Sequence, residues 1–272
     1  MRAIWIIFCC FFALKAMAQV QIEKIRTFPA DTFPEDSPTI APDGKSLVFL
    51  VSQSQEWPEM VNKKAYFLSL TNSKVRLANG PDIDSLYTIS FGRQPKTFFV
   101  SRRAVLDSGD VETIYKAEYF DGAWHLTNLS KRYGIEGGYP FEVGDGSLYF
   151  FQYDGPEGTG LYRSQKQGEG FEKPQWLGNS ISEPGSVTFG AFVAPDESWM
   201  VFTAYFEADG EQGRTGFYFA QKQNGQWVKR KLKGLPYGWG ANITPDRKDF
   251  IFTDGNDLFR CALRDVIPEI AK

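Results

Sequence analysis

The sequence predicts an all-β protein in which one four-stranded unit repeats around a ring, and three observations support this. A tight turn followed by a continuous apolar run recurs along the chain, and a phenylalanine returns within that run at nearly constant intervals. Two hairpin signals also fall at the same place in different repeats. Repeats of about 50 residues in strand-rich sequence are typical of the radial architectures called β-propellers. We therefore predict a five-bladed β-propeller.

The repeat is clearest in residues 37–50. The segment Ala41-Pro42-Asp43-Gly44 predicts a tight turn, because proline presets φ at the first central position and glycine tolerates positive φ. Residues 47–51 follow as an apolar run without polar alternates, which indicates a strand covered on both faces. Runs of this kind carry the recurring phenylalanines, which are Phe49, Phe99, Phe150, Phe202 and Phe252.

Each repeat is predicted to hold four strands, named a to d from the axis outward. Asp121-Gly122 and Asn224-Gly225 predict hairpin turns between strands c and d of the second and fourth repeats. The fifth repeat ends after its strand c, whereas residues 21–28 form a spare strand before the first repeat. We expect this N-terminal strand to complete the fifth blade and close the ring. A six-bladed ring is the alternative, because blades can be as short as roughly 40 residues.

The N-terminus predicts a secretory signal peptide over residues 1–18. Arg2 precedes an apolar stretch, and Ala16-Met17-Ala18 fits the small-residue pattern of a cleavage site. The stretch is shorter than the roughly 20 residues that span a bilayer, so we expect cleavage rather than an anchor. Residues 19–272 would then form a single propeller domain, periplasmic or secreted, with no membrane insertion after cleavage.

Composition fits a soluble folded chain, with 42% hydrophobic and 23% charged residues in 272. Without Arg2 and Lys15, 28 basic residues face 33 acidic ones, and no basic cluster is present. This balance argues against nucleic acid or an anionic membrane surface as a partner. Once the signal is removed, Cys261 is the only cysteine, so no intrachain disulfide can form.

Three segments carry a family resemblance. Ala41-Pro42-Asp43-Gly44-Lys45-Ser46-Leu47-Val48-Phe49, Ala194-Pro195-Asp196-Glu197-Ser198-Trp199-Met200-Val201-Phe202 and Thr244-Pro245-Asp246 resemble the WD-repeat-like motif of TolB-type β-propellers. The resemblance implies an exported, mostly bacterial propeller. Blades two and three depart from it, because Phe91-Gly92-Arg93 replaces the Pro-Asp turn and Val143-Gly144-Asp145 lacks the proline. The motif builds turns and buried strands, so it specifies architecture rather than activity.

Histidine and cysteine chemistry is scarce in this chain. His125 is the only histidine and is predicted on an outer strand, far from the axis where propellers hold ligands. Metal sites built from histidine or cysteine are excluded by the counts, and no Gly-x-Ser-x-Gly elbow occurs. We therefore expect no cofactor, no metal site and no identifiable catalytic residue.

The candidate ligand-binding residues precede strand a, where the chain opens onto the central channel. They are Asp36, Asp84, Glu136, Glu183 and, in the fifth blade, Trp239. Carboxylates and an indole in a ring could bind a sugar or a basic peptide end, or the acids could cap loop amides. Trp57, in the long loop 53–64, is a candidate contact for a partner.

Two functions stay open on the sequence. The favoured one is an exported, monomeric, non-catalytic propeller that binds a protein partner or an envelope glycan through its loop face and channel mouth. The alternative is a carbohydrate-active enzyme of glycosidase type, since five-bladed arabinanase-like glycosidases use acids near the axis. Pairs among Asp36, Asp84, Glu136 and Glu183 are its candidates. That mechanism needs two carboxylates about 5–9.5 Å apart, one of them with a raised pKa.

Overall fold

Five four-stranded antiparallel sheets form a five-bladed β-propeller, as the sequence predicts. The structure, a computed structural model, describes residues 20–28, 33–54, 63–78, 86–106, 109–208 and 210–271. The predicted signal peptide, residues 1–18, lies outside this part of the chain. Neither of the two α-helices in the described ranges is long and apolar enough to cross a membrane.

The blades follow one another in chain order, and each is built from the axis outward. Blade one contains β2 (Glu35–Ile40), β3 (Ser46–Ser52), β4 (Lys63–Ser69) and β5 (Val75–Leu77). Blade two contains β6 (Leu86–Phe91), β7 (Thr97–Leu106), β8 (Gly109–Phe120) and β9 (Ala123–Asn128). Blade three contains β10 (Gly138–Glu142), β11 (Leu148–Gly155), β12 (Gly158–Ser164) and β15 (Gln175–Trp176), with the small hairpin β13 (Lys166–Gln167) and β14 (Gly170–Phe171) between the last two. Blade four contains β16 (Ser186–Val193), β17 (Trp199–Phe206), β18 (Gly216–Gln223) and β19 (Gln226–Lys231). Blade five contains β20 (Trp239–Ile243), β21 (Asp249–Thr253), β22 (Leu258–Ala262) and the N-terminal β1 (Ile22–Lys24).

Strand b of every blade forms the core, and the five recurring phenylalanines are fully buried within it. Each packs with apolar side chains of its own blade and of a neighbouring blade, in clusters that continue around the ring. The apolar runs therefore correspond to the strands covered on both faces, which confirms the strand prediction.

The N-terminal strand closes the ring as predicted. Ile22 pairs with Cys261 and Lys24 with Phe259 on β22, and the Ile25 amide donates to the Leu258 carbonyl at 2.8 Å. The outer edge of blade five is thereby covered by a strand from the other end of the chain.

In four of the blades an aspartate side chain, with or without a preceding proline, bonds to the turn between strands a and b. In blade one the Gly44 amide donates to the Ala41 carbonyl at 2.9 Å, and the Asp43 side chain accepts from the Lys45 amide. Blade three lacks the proline, yet the Gly146 amide donates to the Val143 carbonyl at 3.0 Å and Asp145 accepts from a following amide. The turn of blade three therefore keeps the same hydrogen bonds as that of blade one, although its sequence lacks the proline.

Two short α-helices follow strands, although the sequence shows no helical period. α1 (Leu129–Tyr133) begins after Asn128, whose side chain accepts from the Lys131 amide at 2.7 Å. α2 (Leu263–Val266) packs its apolar residues against blade five. Helices of four or five residues are too short to produce a recognisable period, and only α1 has a side-chain cap that marks its start.

Every innermost strand contains one extra residue relative to strand b, which is a β-bulge. The bulge places a residue at positive φ in four of the blades: Ser37, Tyr139, Gly190 and Gly240. Above the bulges the strands lead into loops. At the level of the bulges the innermost strands leave a space of only about 40 Å³ around the axis.

Side-chain hydrogen bonds hold the innermost strands together around this axis. Asn242 of blade five donates to the Pro38 carbonyl at 2.6 Å and accepts from the Ile40 amide at 3.2 Å, so it bridges to blade one. Thr39 of blade one donates to the Ile89 carbonyl of blade two at 2.9 Å. These contacts link neighbouring blades, whose described sheets are not joined by a common strand ladder.

The bulge predicts different costs for two equivalent glycines. Gly190 and Gly240 have φ values of 62° and 64°, so alanine at either one costs about 1–2 kcal/mol in backbone strain. A Cβ on Gly240 would lie 2.8 Å from Pro38 Cδ, whereas the nearest atom to one on Gly190 is 3.6 Å away. We expect Gly240→Ala to lower the free energy of unfolding, measured in urea, clearly more than Gly190→Ala. Equal losses would contradict the close packing of β20 on β2.

Candidate functional site

A cavity of about 920 Å³ opens on the face of the propeller where the chain leads into the innermost strands. We call it the mouth cavity. Its walls come from blades two to five and include Tyr87, Glu112, Tyr139, Phe189 and Tyr237. Its size is that of a typical small-molecule site, and its walls combine aromatic faces with a few charged groups.

Arg103 links a phenol and a carboxylate on the wall formed by blade two. Its Nη1 donates to Tyr87 Oη at 3.0 Å, and its Nε lies 3.9 Å from Glu112 Oε1. Gly138 of the next blade leaves room for this carboxylate, since a Cβ there would lie 2.8 Å from Glu112 Oε2. The guanidinium offsets the glutamate charge and holds the phenol oxygen in place.

Two tyrosines at the bulges form the inner end of the mouth cavity. The rings of Tyr87 and Tyr139 lie 6.1 Å apart and nearly perpendicular. Burial, followed by the nearby Glu112 charge, raises the pKa of Tyr87 to about 12 although Arg103 opposes this. Burial also raises the pKa of Tyr139 well above its usual range. Both phenols are therefore protonated at neutral pH, and a hydrogen bond joins their side chains.

Asp36 lies beneath this wall in a buried ion pair with Lys63. It also accepts from Trp239 Nε1 at 2.6 Å and from the Ser37 amide. Burial alone would raise the pKa of Asp36, but the Lys63 ammonium and the hydrogen bonds outweigh it and lower that pKa. The Lys63 Nζ lies 4.6 Å from the Tyr87 ring centroid and donates to the Tyr87 carbonyl at 3.3 Å. The pair thus joins blades five, one and two under the mouth cavity.

The structure separates the candidate residues of the sequence. Glu136 is exposed and lines the mouth cavity. Asp36 and Trp239 bond to each other beneath it, whereas Glu183 pairs with Lys229 at 3.0 Å and with Arg214, away from the cavity walls. Asp84 and Trp57 lie outside the described residues.

Four residues of the site are absent from the sequence prediction. Glu112 and Arg103 lie on strands c and b of blade two, where the repeat alone predicts only core and blade surface. Tyr139 occupies the bulge position that Ser37 and two glycines occupy in other blades, whereas Tyr87 lies one residue before the equivalent Thr88 of blade two. An alignment of the five repeats at this position would have shown one large aromatic side chain, Tyr139, where small residues are otherwise found.

The two residues with possible nucleophilic chemistry lie elsewhere. His125 is on the outer strand β9, as predicted, and its ring stacks on Phe120 at 3.6 Å between centroids. Cys261 is buried, and burial together with the charges of Asp265 and Asp249 raises its pKa to about 12. Within the described ranges no three residues of the His, Cys, Asp and Glu types are grouped so as to hold a metal ion.

Comparison with known proteins identifies the fold. No family model and no curated protein sequence matches the chain. A gluconolactonase from Xanthomonas campestris superposes with a TM-score of 0.53 at 11% identity, covering 90% of each chain. An α-L-arabinanase from Penicillium chrysogenum, complexed with arabinobiose, gives 0.51 at 10% identity, covering 90% of this chain and 99% of that one. An endo-arabinanase from Bacillus licheniformis gives 0.50 at 9% identity, covering 85% and 94%. At such identities the similarity shows the propeller fold.

These similar structures correct the functional prediction. The favoured expectation of a non-catalytic binding propeller is wrong, because the similar propellers are mostly enzymes and the glycosidase-type alternative is better supported. The mouth cavity agrees with this correction, since it gathers carboxylates, a guanidinium and protonated phenols at one place.

The buried ion pair predicts a pH-dependent stability. The pKa of Asp36 is lowered in the folded protein, so its contribution is present above the ordinary carboxyl pKa and is lost as pH falls through the folded value. Asp36→Asn leaves the Lys63 ammonium buried without its counter-ion, at a cost of about 3–5 kcal/mol near pH 7. We also expect the variant to lose less stability than the wild type between pH 7 and pH 3 in urea unfolding.

Glu269→Gln is the matched control, because Glu269 and Arg230 form an ion pair in which both side chains are more than 40% exposed. Its loss should cost less than about 1 kcal/mol. A similarly small loss of stability in Asp36→Asn would show that the Asp36–Lys63 pair contributes no more to the free energy of unfolding than an exposed ion pair does.

Proposed function

We propose that the chain is a carbohydrate-active enzyme of glycoside hydrolase type whose substrate binds in the mouth cavity. The observation that carries the proposal is the joint presence of carboxylates and aromatic faces in one cavity of about 920 Å³. Aromatic faces cover the apolar C–H surface of sugar rings, and carboxylates accept hydrogen bonds from hydroxyl groups. The same carboxylates are the groups that glycoside hydrolysis requires.

Glu112 and Glu136 are the proposed catalytic pair. Thr113 and Glu136 face each other in an antiparallel bridge, and the Gly137 amide donates to the Glu112 carbonyl at 3.4 Å. The two glutamates therefore come from adjacent backbone segments and line the same cavity. This proximity is compatible with the separation of about 5–9.5 Å between the carboxyl groups of glycosidases.

The surroundings of the two glutamates differ, which suits two different roles. Glu112 is partly buried beside the Arg103 guanidinium, and a nearby cation favours the charged form of a carboxylate. We assign it the part of nucleophile or of base toward water. Glu136, at the exposed edge, is assigned the part of the acid that protonates the leaving oxygen, a role for which the bound substrate must cover it and exclude water.

Tyr87 and Tyr139 are assigned to substrate positioning. Tyr87 Oη already accepts from Arg103, and both phenols keep their protons at neutral pH. Tyr87 can therefore donate to a hydroxyl or ring oxygen of a sugar, and Tyr139, which is hydrogen-bonded to Tyr87, holds it in place. Donors fixed by burial hold a substrate without reorganising during the reaction.

Location and family belong to the same proposal. The apolar N-terminal stretch and Ala16-Met17-Ala18 support export and cleavage after residue 18, and the Ala-Pro-Asp segments support a TolB-type propeller. The enzyme would then act as a monomer on a glycan of the cell envelope or its surroundings.

The proposed pair predicts loss of turnover from two conservative substitutions. Protein purified after export is assayed against neutral and acidic polysaccharides and chromogenic aryl glycosides, followed by reducing-sugar release. Glu112→Gln and Glu136→Gln keep the size of each side chain but remove its acid–base chemistry. We expect each to lower kcat/KM by at least about 100-fold.

Glu118→Gln serves as the control, because Glu118 pairs with Lys116 on the outer part of blade two. It should retain wild-type kcat/KM. Full activity in Glu112→Gln or Glu136→Gln would contradict the assignment of the pair, and lack of turnover across the panel would contradict the enzyme proposal.

A further inference from the structure

Three of the eight large apolar side chains that are exposed in the described part of the chain lie at the mouth cavity. Tyr153, Tyr205 and Tyr237 are 65%, 40% and 42% exposed, and all three line the cavity. They come from blades three, four and five, respectively. We call them the tyrosine rim. An aromatic group that is repeatedly exposed around one cavity marks a binding surface rather than chance exposure.

Ring contacts support each of the rim tyrosines, and for Tyr153 and Tyr237 the partner is a deeper ring. Tyr153 packs against Phe151 with centroids 6.5 Å apart, and Tyr237 packs against Trp239 at 5.9 Å. Tyr205 and Tyr237 are neighbours at 6.2 Å. Each ring is therefore supported on one side while a large fraction stays open to solvent. Little side-chain entropy remains to be lost when a ligand covers it.

The charge of the cavity restricts the ligand. Its lining includes four carboxylates, those of Glu112, Glu136, Asp154 and Glu207, and the guanidinium of Arg103. Asp154 directly follows Tyr153, so negative charge reaches the rim itself. An acidic glycan would be repelled by this excess of like charge, whereas a neutral one meets only hydrogen-bond acceptors and donors.

We infer that the tyrosine rim binds a neutral glycan chain of several rings. The substrate of the proposed enzyme is then a neutral oligosaccharide or polysaccharide rather than a single sugar or an acidic glycan. The inference rests on the proposed function for the reaction, but binding at the rim can be measured without it. One sugar unit occupies the inner end near Tyr87 and Tyr139, and further units extend over the rim.

The test measures binding in a protein that does not turn its ligand over. Glu112→Gln is titrated by calorimetry with neutral oligosaccharides of two to six rings derived from arabinan, xylan and β-glucan, and with oligogalacturonates as the acidic counterpart. We expect one neutral series to bind with affinity that rises with chain length. Alanine at Tyr153, Tyr205 or Tyr237 should weaken the longer chains about three- to tenfold and leave the shortest ones unchanged.

Matched variants separate ring stacking from folding defects. Tyr205→Phe and Tyr237→Phe keep the ring face and should keep the affinity. The alanine variants should show the weaker binding of the longer chains at an unchanged melting temperature. Phe120→Ala removes an aromatic that is 49% exposed but lies on the outer part of blade two, and it should bind as the parent does.

Each other outcome is decisive. Tighter binding of oligogalacturonates overturns the neutral charge class, and affinity independent of length or unaffected by the three alanine variants overturns the rim. Rim-dependent binding without turnover by the wild type supports this inference and contradicts the proposed function. Turnover of small glycosides, together with binding that the rim variants leave unchanged, supports the proposed function and contradicts this inference.

Discussion

The one-residue bulge in every innermost strand is the constraint on which the site depends. A bulge bends its strand and increases the local twist, so five bulges at one level change the shape of the whole ring there. At that level the strands leave only about 40 Å³ at the axis, and on one side of it they surround a cavity of about 920 Å³. Tyr139 lines both spaces, so the mouth cavity adjoins the narrow part of the axis.

The buried Asp36–Lys63 pair ties the ring closure to the wall of this cavity. Two charges are removed from water at a cost that their attraction repays only with good geometry and further hydrogen bonds. Trp239 supplies one such bond from blade five, and Lys63 in turn lies against the Tyr87 ring and carbonyl of blade two. The seam between the first and last blades is thus fixed by the same groups that orient a tyrosine of the site.

The architecture could be predicted from the sequence because its elements repeat along the chain. Phe49 and its four equivalents, and the spare strand at Ile22, are local patterns that appear several times or complete a count. The site could not be predicted in the same way. Glu136 and Asp36 hold similar places in the repeat, yet Asp36 is paired with a lysine 27 residues away and accepts a hydrogen bond from a tryptophan 203 residues away. Such partners are set by the closed ring and leave no trace in local sequence.

A catalytic site requires the symmetry of the ring to be broken. Acid–base chemistry needs groups with different environments, and five equivalent residues around an axis would share one environment. The bulge position shows one such difference: Tyr139 occupies it in blade three, whereas Ser37, Gly190 and Gly240 leave space in three other blades. The described residues of the cavity walls come from blades two to five. The repeated strands supply a common framework, and residues that differ between the repeats, such as Tyr139 and the partly buried Glu112, make the walls of the mouth cavity unequal.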